Sequence, residues 1–104
     1  MARRVITAPA AAKGLRDAHR WLTQPGAGSV GRAKWENIRA ARRWLRHWPY
    51  AGAESPEHPG CRALIAEGWQ IVYQLTPDTG DGVTAGDVMI LAVFPPGIGE
   101  RSLG

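Results

Sequence analysis

The stretch Glu67-Gly68-Trp69-Gln70-Ile71-Val72-Tyr73-Gln74-Leu75 decides the fold. A glycine turn followed by aromatic and β-branched residues reads as a strand entered from a tight turn. Strand side chains alternate, so Ile71 and Tyr73 share one face while Gln70, Val72 and Gln74 share the other. The glutamine face is expected to be the partly open one. Its polar positions are neutral amides, which donate hydrogen bonds but bring no charge. A surface for protein contact needs no more than that, whereas a surface that handles phosphate would need a cation or a base.

Working outward, Arg62-Ala63-Leu64-Ile65-Ala66 forms the preceding strand, joined through Glu67-Gly68. After Thr76, the run Pro77-Asp78-Thr79-Gly80-Asp81-Gly82 opens a long loop, and a third strand spans Asp87-Val88 to Phe94. The near-continuous apolar character of that strand predicts a central position, covered on both sides or nearly so. Pro95-Pro96-Gly97 stops it. Residues 98–104 are expected to be a flexible tail, leaving one domain over residues 3–97.

Upstream, Arg4-Val5-Ile6-Thr7-Ala8 is a short β-prone run closed by Pro9, and a helix follows from about Ala10 to Thr23. Ala11, Leu15, Ala18 and Leu22 recur on one helical face. Gln24-Pro25-Gly26-Ala27-Gly28 breaks that helix, and Ser29 is a good N-cap for a second one reaching about His47. Trp35, Ile38, Ala41, Leu45 and Trp48 form its apolar stripe, with Trp44 off the stripe. Arg32, Glu36, Arg39, Arg43 and Arg46 gather within roughly an 80° arc of another face. Ala51 to Gly60 is rich in Pro, Gly and Glu and reads as irregular. The order β-α-α-β-β-β describes an α+β domain, a helical hairpin packed on a curved, mainly antiparallel sheet. Leu15, Leu22, Ile38 and Leu45 are expected to be buried against Ile65, Ile71, Val72, Ile90 and Val93.

Charge is divided between the halves of the chain. Residues 1–50 carry 11 Lys/Arg against Asp17 and Glu36, a balance of +9, and residues 51–104 carry Arg62 and Arg101 against seven Asp/Glu, a balance of −5. Such polarity favours an anionic partner for the first half, nucleic acid or an acidic protein segment. Met1-Ala2-Arg3-Arg4-Val5 has no long apolar stretch behind it and reads as no secretory leader. No apolar run is long enough for a membrane span, so no membrane association is expected. The single cysteine, Cys61, fits a reducing cytoplasm and reads as a packed, inert thiol. His19, His47 and His58 fall in three different segments, so no metal site and no cofactor are expected.

The element order resembles the RelE/ParE superfamily of bacterial toxin–antitoxin and plasmid-stabilisation toxins. The stretches carrying the resemblance are Trp44-Leu45-x-x-Trp48-Pro49, Gly60-Cys61-Arg62-Ala63-Leu64, Gly68-Trp69-Gln70-Ile71-Val72-Tyr73 and Val88-Met89-Ile90-Leu91-Ala92-Val93-Phe94. The resemblance implies a toxin neutralised by a cognate antitoxin whose C-terminal segment wraps it. The +9 half predicts that this segment is acidic, with Arg32, Arg39, Arg43 and Arg46 as its contacts. Two branches differ in action. The ribosome-dependent ribonucleases cut mRNA with basic and aromatic residues on the sheet, and here only Arg62, Tyr73 and Arg101 could serve. Where that branch usually has an arginine on the strand, this chain has Gln70, and its last strand ends in Phe94-Pro95-Pro96-Gly97. The ParE branch inhibits DNA gyrase by binding and fits better, with Arg62, Trp69, Gln70, Gln74, Phe94 and Arg101 as the implied target surface. The alternatives are an mRNA endoribonuclease acting at the ribosome with a substituted site, and a degenerate member that only binds its antitoxin.

Overall fold

The computed structural model describes residues 3–97; the expected tail, and Arg101 with it, lies outside them. The elements run β1 (Val5–Thr7), α1 (Pro9–Leu22), α2 (Gly28–Trp44), β2 (Ala53–Glu54), β3 (Arg62–Ala66), β4 (Trp69–Thr76) and β5 (Asp87–Phe94). The three long strands occupy the residues that the sequence pattern assigns to them. The sheet order is β1-β5-β4-β3-β2, antiparallel except that β1 runs parallel to β5. β2 was not expected. Ala53 and Glu54 lie in the Pro/Gly-rich stretch read as irregular, yet they pair with Ala63 and Arg62 at the sheet edge.

Both helices differ from expectation at their ends. Pro9 does more than close β1: it is the first residue of α1, where its missing N–H costs no helical bond. Ser29 is not a cap. Gly31 N–H bonds to the Ala27 carbonyl at 3.3 Å, so α2 has begun before Ser29, which sits inside its first turn. At the other end α2 stops at Trp44, three residues short of His47. Past that end the Arg46 carbonyl accepts from Arg3 Nη1 at 2.6 Å and the Pro49 carbonyl from Tyr73 Oη at 2.7 Å. Trp48, beyond the helix, leaves the apolar stripe and is 59% exposed.

The core lies between the helices and one sheet face. Ala11, Ala18, Leu22, Ile38 and Leu45 pack against Ile71, Tyr73, Leu75, Val88, Ile90 and Val93. Gly14 brings α1 onto β5, since a Cβ there would fall on the Val93 carbonyl oxygen. The far face of β5 is covered only in part, by the cluster around Ala92, and a bulge interrupts the run. Tyr73 pairs with Ile90 and Val72 with Ala92, which leaves Leu91 as an extra residue in a bulge. The bulge resets the alternation, so Ile90 and Val93, three apart, both face the helices. On β5 only one face is fully buried, and Met89, Leu91 and Phe94 remain half-exposed. β4, in the middle of the sheet, is the strand buried on both faces from Trp69 through Tyr73.

The glutamine face is accordingly less open than expected. Val72 packs with Cys61 and Ala92 in a second, smaller cluster on the side away from the helices. The turn from Ser55 to Cys61 folds beneath it, and the buried His58 ring stacks on Phe94 at 6.2 Å. Ile65, paired with Gln70, points to that same side and is 60% exposed instead of joining the core.

Ile90 is fully buried, and Ile90→Ala should cost roughly 2–5 kcal/mol in chemical denaturation. The start of β5 is tied to the N-terminus by charge. The Arg4 backbone N–H donates to Asp87 Oδ1 at 2.9 Å and its Nη2 to Oδ2 at 2.9 Å. These bonds hold the Asp87 carboxyl below its ordinary value of 3.8. The stabilisation is present above that value and disappears as pH falls through the lowered folded-state pKa. Asp87→Asn should thus lower Tm at neutral pH, with the gap to the parent protein closing as the pH drops below about 4.

Candidate functional site

Cross-strand pairing sets Arg62 directly beside Tyr73 on the helix-facing side of the sheet. Tyr73 is fully buried. Its hydroxyl donates to the Pro49 carbonyl at 2.7 Å and accepts from the Gly52 N–H at 3.0 Å. Burial pushes the phenol above its usual range, outweighing the opposing effects of the Gly52 hydrogen bond and the Arg62 charge. Its proton is committed to a backbone acceptor, which leaves it unsuited to take another.

Arg62 is similarly engaged. Its Nη1 donates to the Gly52 carbonyl at 2.9 Å, Nη2 lies 3.7 Å from Glu54 Oε1, and the guanidinium sits 4.6 Å over the Tyr50 ring. Its Nε is buried without an acceptor among the described residues. The Tyr50 hydroxyl in turn donates to Asp78 Oδ1 at 2.5 Å and accepts from Gly80 N–H at 2.7 Å. Arg62, Tyr50 and Tyr73 thus anchor the β2 segment and the β4–β5 loop against the sheet.

The target-surface residues suggested by the sequence do not share a face. Arg62 and Trp69 are on the helix side, and Trp69 is buried in the main core. Gln70, Gln74 and Phe94 are on the opposite side, where Gln70 pairs with Phe94. Gln70 is itself buried, and only Gln74 and Phe94 are partly accessible. Next to them is a group that sequence reasoning passed over. Ser55 Oγ and His58 Nδ1 lie 3.1 Å apart, both buried, and the nearby Cys61 thiol is pushed upward by burial. Ser-Pro before a Gly is only a turn signal in sequence, and the contact of His58 with Phe94, far along the chain, arises only in the fold. Among the described residues no group of three or more His, Cys, Asp or Glu side chains is placed to hold a metal. No helix among them is long and apolar enough to cross a membrane.

An accessible concave site lies between the helices. It measures about 1040 Å³ and is lined by Leu15, Arg16, His19 and Arg20 of α1, Thr23 to Pro25 of the loop, and Trp35, Arg39, Arg42 and Arg43 of α2. The His19 ring meets Trp35 edge-on at 5.0 Å, and with Leu15 they make an apolar floor. Five guanidiniums rim it. Arg39 pairs with Glu36 at 3.0 Å, and Arg42 donates to Thr7 Oγ1 at 2.6 Å. Arg16, Arg20 and Arg43 have no carboxylate in ion-pair range among the described residues. Of the four arginines suggested by the sequence, Arg39 and Arg43 line this groove. Arg46 borders a neighbouring cleft beside β1, and Arg32 lines neither. Arg16, Arg20 and Arg42 were missed. Arg16 and Arg20 are one turn apart on α1, a spacing visible in the sequence, but their meeting with α2 depends on the hairpin.

Neither the scan of protein-family models nor the search of curated proteins finds a match to this chain. Among solved structures, a chain of the chromosomal ParDE TA system from P. aeruginosa matches with a TM-score of 0.65 at 18% identity. The match covers 90% of this chain and 96% of that one. It establishes the fold shared with that chain: two helices on a five-stranded mixed sheet.

Replacing Tyr73 with Phe removes both buried hydrogen bonds and strands the Gly52 N–H and the Pro49 carbonyl. The loss should be about 1–3 kcal/mol by denaturant titration. The native Cys61 thiol should alkylate slowly at neutral pH and quickly once the chain is unfolded.

Proposed function

We propose that this chain is the toxin of a type II toxin–antitoxin module, ParE-like in action. It binds DNA gyrase and is neutralised by a cognate antitoxin through an acidic C-terminal segment. One observation carries the preference for binding over cleavage. Arg62 and Tyr73, the described residues on which mRNA cleavage would have to rest, are turned into the fold and bonded to backbone groups. Cleavage by 2′-OH attack needs a proton acceptor and a cation aimed at the phosphate. Here the proton and the charge are both used to hold loops in place. The fold shared with the ParDE chain supports membership of a toxin–antitoxin module. The interhelical groove supports an acidic partner, because an apolar floor rimmed by arginines suits an amphipathic acidic segment.

Expression without antitoxin should cause DNA damage and filamentation while bulk mRNA stays intact, and purified protein should inhibit gyrase supercoiling. Cleavage of mRNA on purified ribosomes, lost on Arg62→Ala, would instead establish the ribonuclease. A chain that binds antitoxin but is harmless in both assays would be a degenerate member. Charge reversal of Arg39 and Arg43 to Glu should slow antitoxin association and flatten its dependence on salt. Unchanged low-salt kinetics would show that the antitoxin does not use this groove.

A further inference from the structure

The groove between the helices changes character along its length. Three contacts fix the register of the hairpin. Gly31 lies so close to α1 that a Cβ there would overlap the Leu22 carbonyl oxygen. One turn further along α2, the Trp35 ring meets His19. Two turns beyond that, Arg42 reaches Thr7 of β1. The ring-bearing and neutral lining residues His19, Trp35, Gln24 and Pro25 therefore gather at the end nearest the interhelical loop. Arg16, Arg39, Arg42 and Arg43 stand toward β1, and Arg20 lies one turn from Arg16 on the way to the aromatic end. With a rise of about 1.5 Å per residue, Trp35 and the pair Arg42–Arg43 are about 10–12 Å apart along the helix axis.

The cations at the β1 end fall into two kinds. Arg39 is held by Glu36 at 3.0 Å and Arg42 by Thr7 Oγ1 at 2.6 Å, which fixes them on the groove wall. Arg16 and Arg43 have no carboxylate in ion-pair range among the described residues. Asp17, next to Arg16 in the chain, is taken by Lys13 at 2.9 Å and does not line the groove. A guanidinium presents its donors in a planar fork that fits phosphate oxygens two at a time. At the other end Trp35 is partly buried and lines the groove, so a flat base can lie against it. Gln24 stands beside it with an amide that both donates and accepts, as the polar edge of a base requires.

We propose that the interhelical groove binds a purine nucleoside triphosphate, its base against Trp35 and His19 and its phosphates on the arginines toward β1. The separation of the two ends matches the reach of such a molecule from base to outer phosphates. The volume of about 1040 Å³ is at the upper end of the range for small-molecule sites and leaves room for it. A purine is favoured over a pyrimidine because two fused rings cover more of the indole. Bare polyphosphate would engage the cations and leave the aromatic end unused. The inference rests on the toxin reading only for its consequence: nucleotide and acidic antitoxin segment need the same arginines, so each displaces the other.

The test uses the purified full chain, isotope-labelled for NMR, with ATP as the probe in metal-free buffer at low salt. Titration should saturate at one ATP per chain and give nuclear Overhauser contacts from the base protons to the Trp35 and His19 rings. Tripolyphosphate and adenosine should each bind about tenfold more weakly than ATP, or worse. GTP in place of ATP distinguishes the two purines, and the tighter one names the base. Arg16→Glu combined with Arg43→Glu should weaken ATP about tenfold or more. The amide spectrum of the sheet should stay unchanged in that variant, which separates lost contacts from lost folding. Tripolyphosphate or CTP bound as tightly as ATP, binding that never saturates, or base contacts at the exposed Trp21, Trp44 or Trp48 instead would overturn the proposal in favour of unselective attraction. With a cognate antitoxin present, saturating ATP should slow its association about tenfold. Simultaneous binding of both would overturn the competition and take this groove out of the antitoxin's footprint. A chain that its antitoxin neutralises but that shows no base contact at Trp35 sinks the nucleotide site and leaves the toxin reading intact. Saturable ATP binding at Trp35 by a chain that is harmless in cells supports the site and removes the toxin reading.

Discussion

The bulge at Leu91 is the constraint on which the rest of the structure depends. A regular strand alternates faces, so Ile90 and Val93 could not both reach the helices. One extra residue opposite the Val72–Tyr73 step reverses the alternation, and both then enter the core. Val93 in turn is where α1 rests, through Gly14, directly on the sheet. Displacing that contact would lift α1, open the hairpin and separate the arginines of α1 from those of α2. The site between the helices is therefore a consequence of strand geometry on the far side of the core.

The same geometry explains why the sheet carries so little free chemistry. Residues 62 and 73 face each other across β3 and β4, where both meet the segment after α2; Tyr73 is fully buried and Arg62 half-buried. That segment arrives with backbone groups that need partners once buried. The Tyr73 hydroxyl takes one donor and one acceptor, and Arg62 takes a further carbonyl. A buried peptide group left unpaired costs more than a single hydrogen bond contributes, so these side chains are committed to the fold. Freeing them for catalysis would release the β2 segment.

Charge is handled in the opposite manner. The first half keeps its cations at the surface, where solvation is cheap, and gathers them along one groove and one edge. Exposed guanidiniums repel one another only weakly across water and salt, so such a cluster is tolerated without counter-ions. Its value is in association: a concentrated positive field accelerates capture of an acidic segment far more than it alters the stability of the free chain.

The sequence by itself determined the helical hairpin, the three long strands and their order along the chain, because these follow from local periodicity and turn residues. The strands Arg62–Ala66, Trp69–Thr76 and Asp87–Phe94 were readable from glycine and proline punctuation and from runs of β-branched residues. The basic character of the first half was equally plain. Only the tertiary structure decided which residues share a surface. A bulge cannot be seen in an apolar run, so β5 looked doubly covered and the parity of Val93 was hidden. Trp48 looked like a stripe residue because the helical period was carried past Trp44, where α2 ends and the chain turns toward partners from Arg3 and Tyr73. Gln70 looked open because the turn that folds beneath its face, with His58 against Phe94, comes from a segment remote from it in sequence. Arg16 and Arg20 met Arg39 and Arg43 only through the packing of two helices. Such contacts join residues distant in sequence, and periodicity carries no information about them.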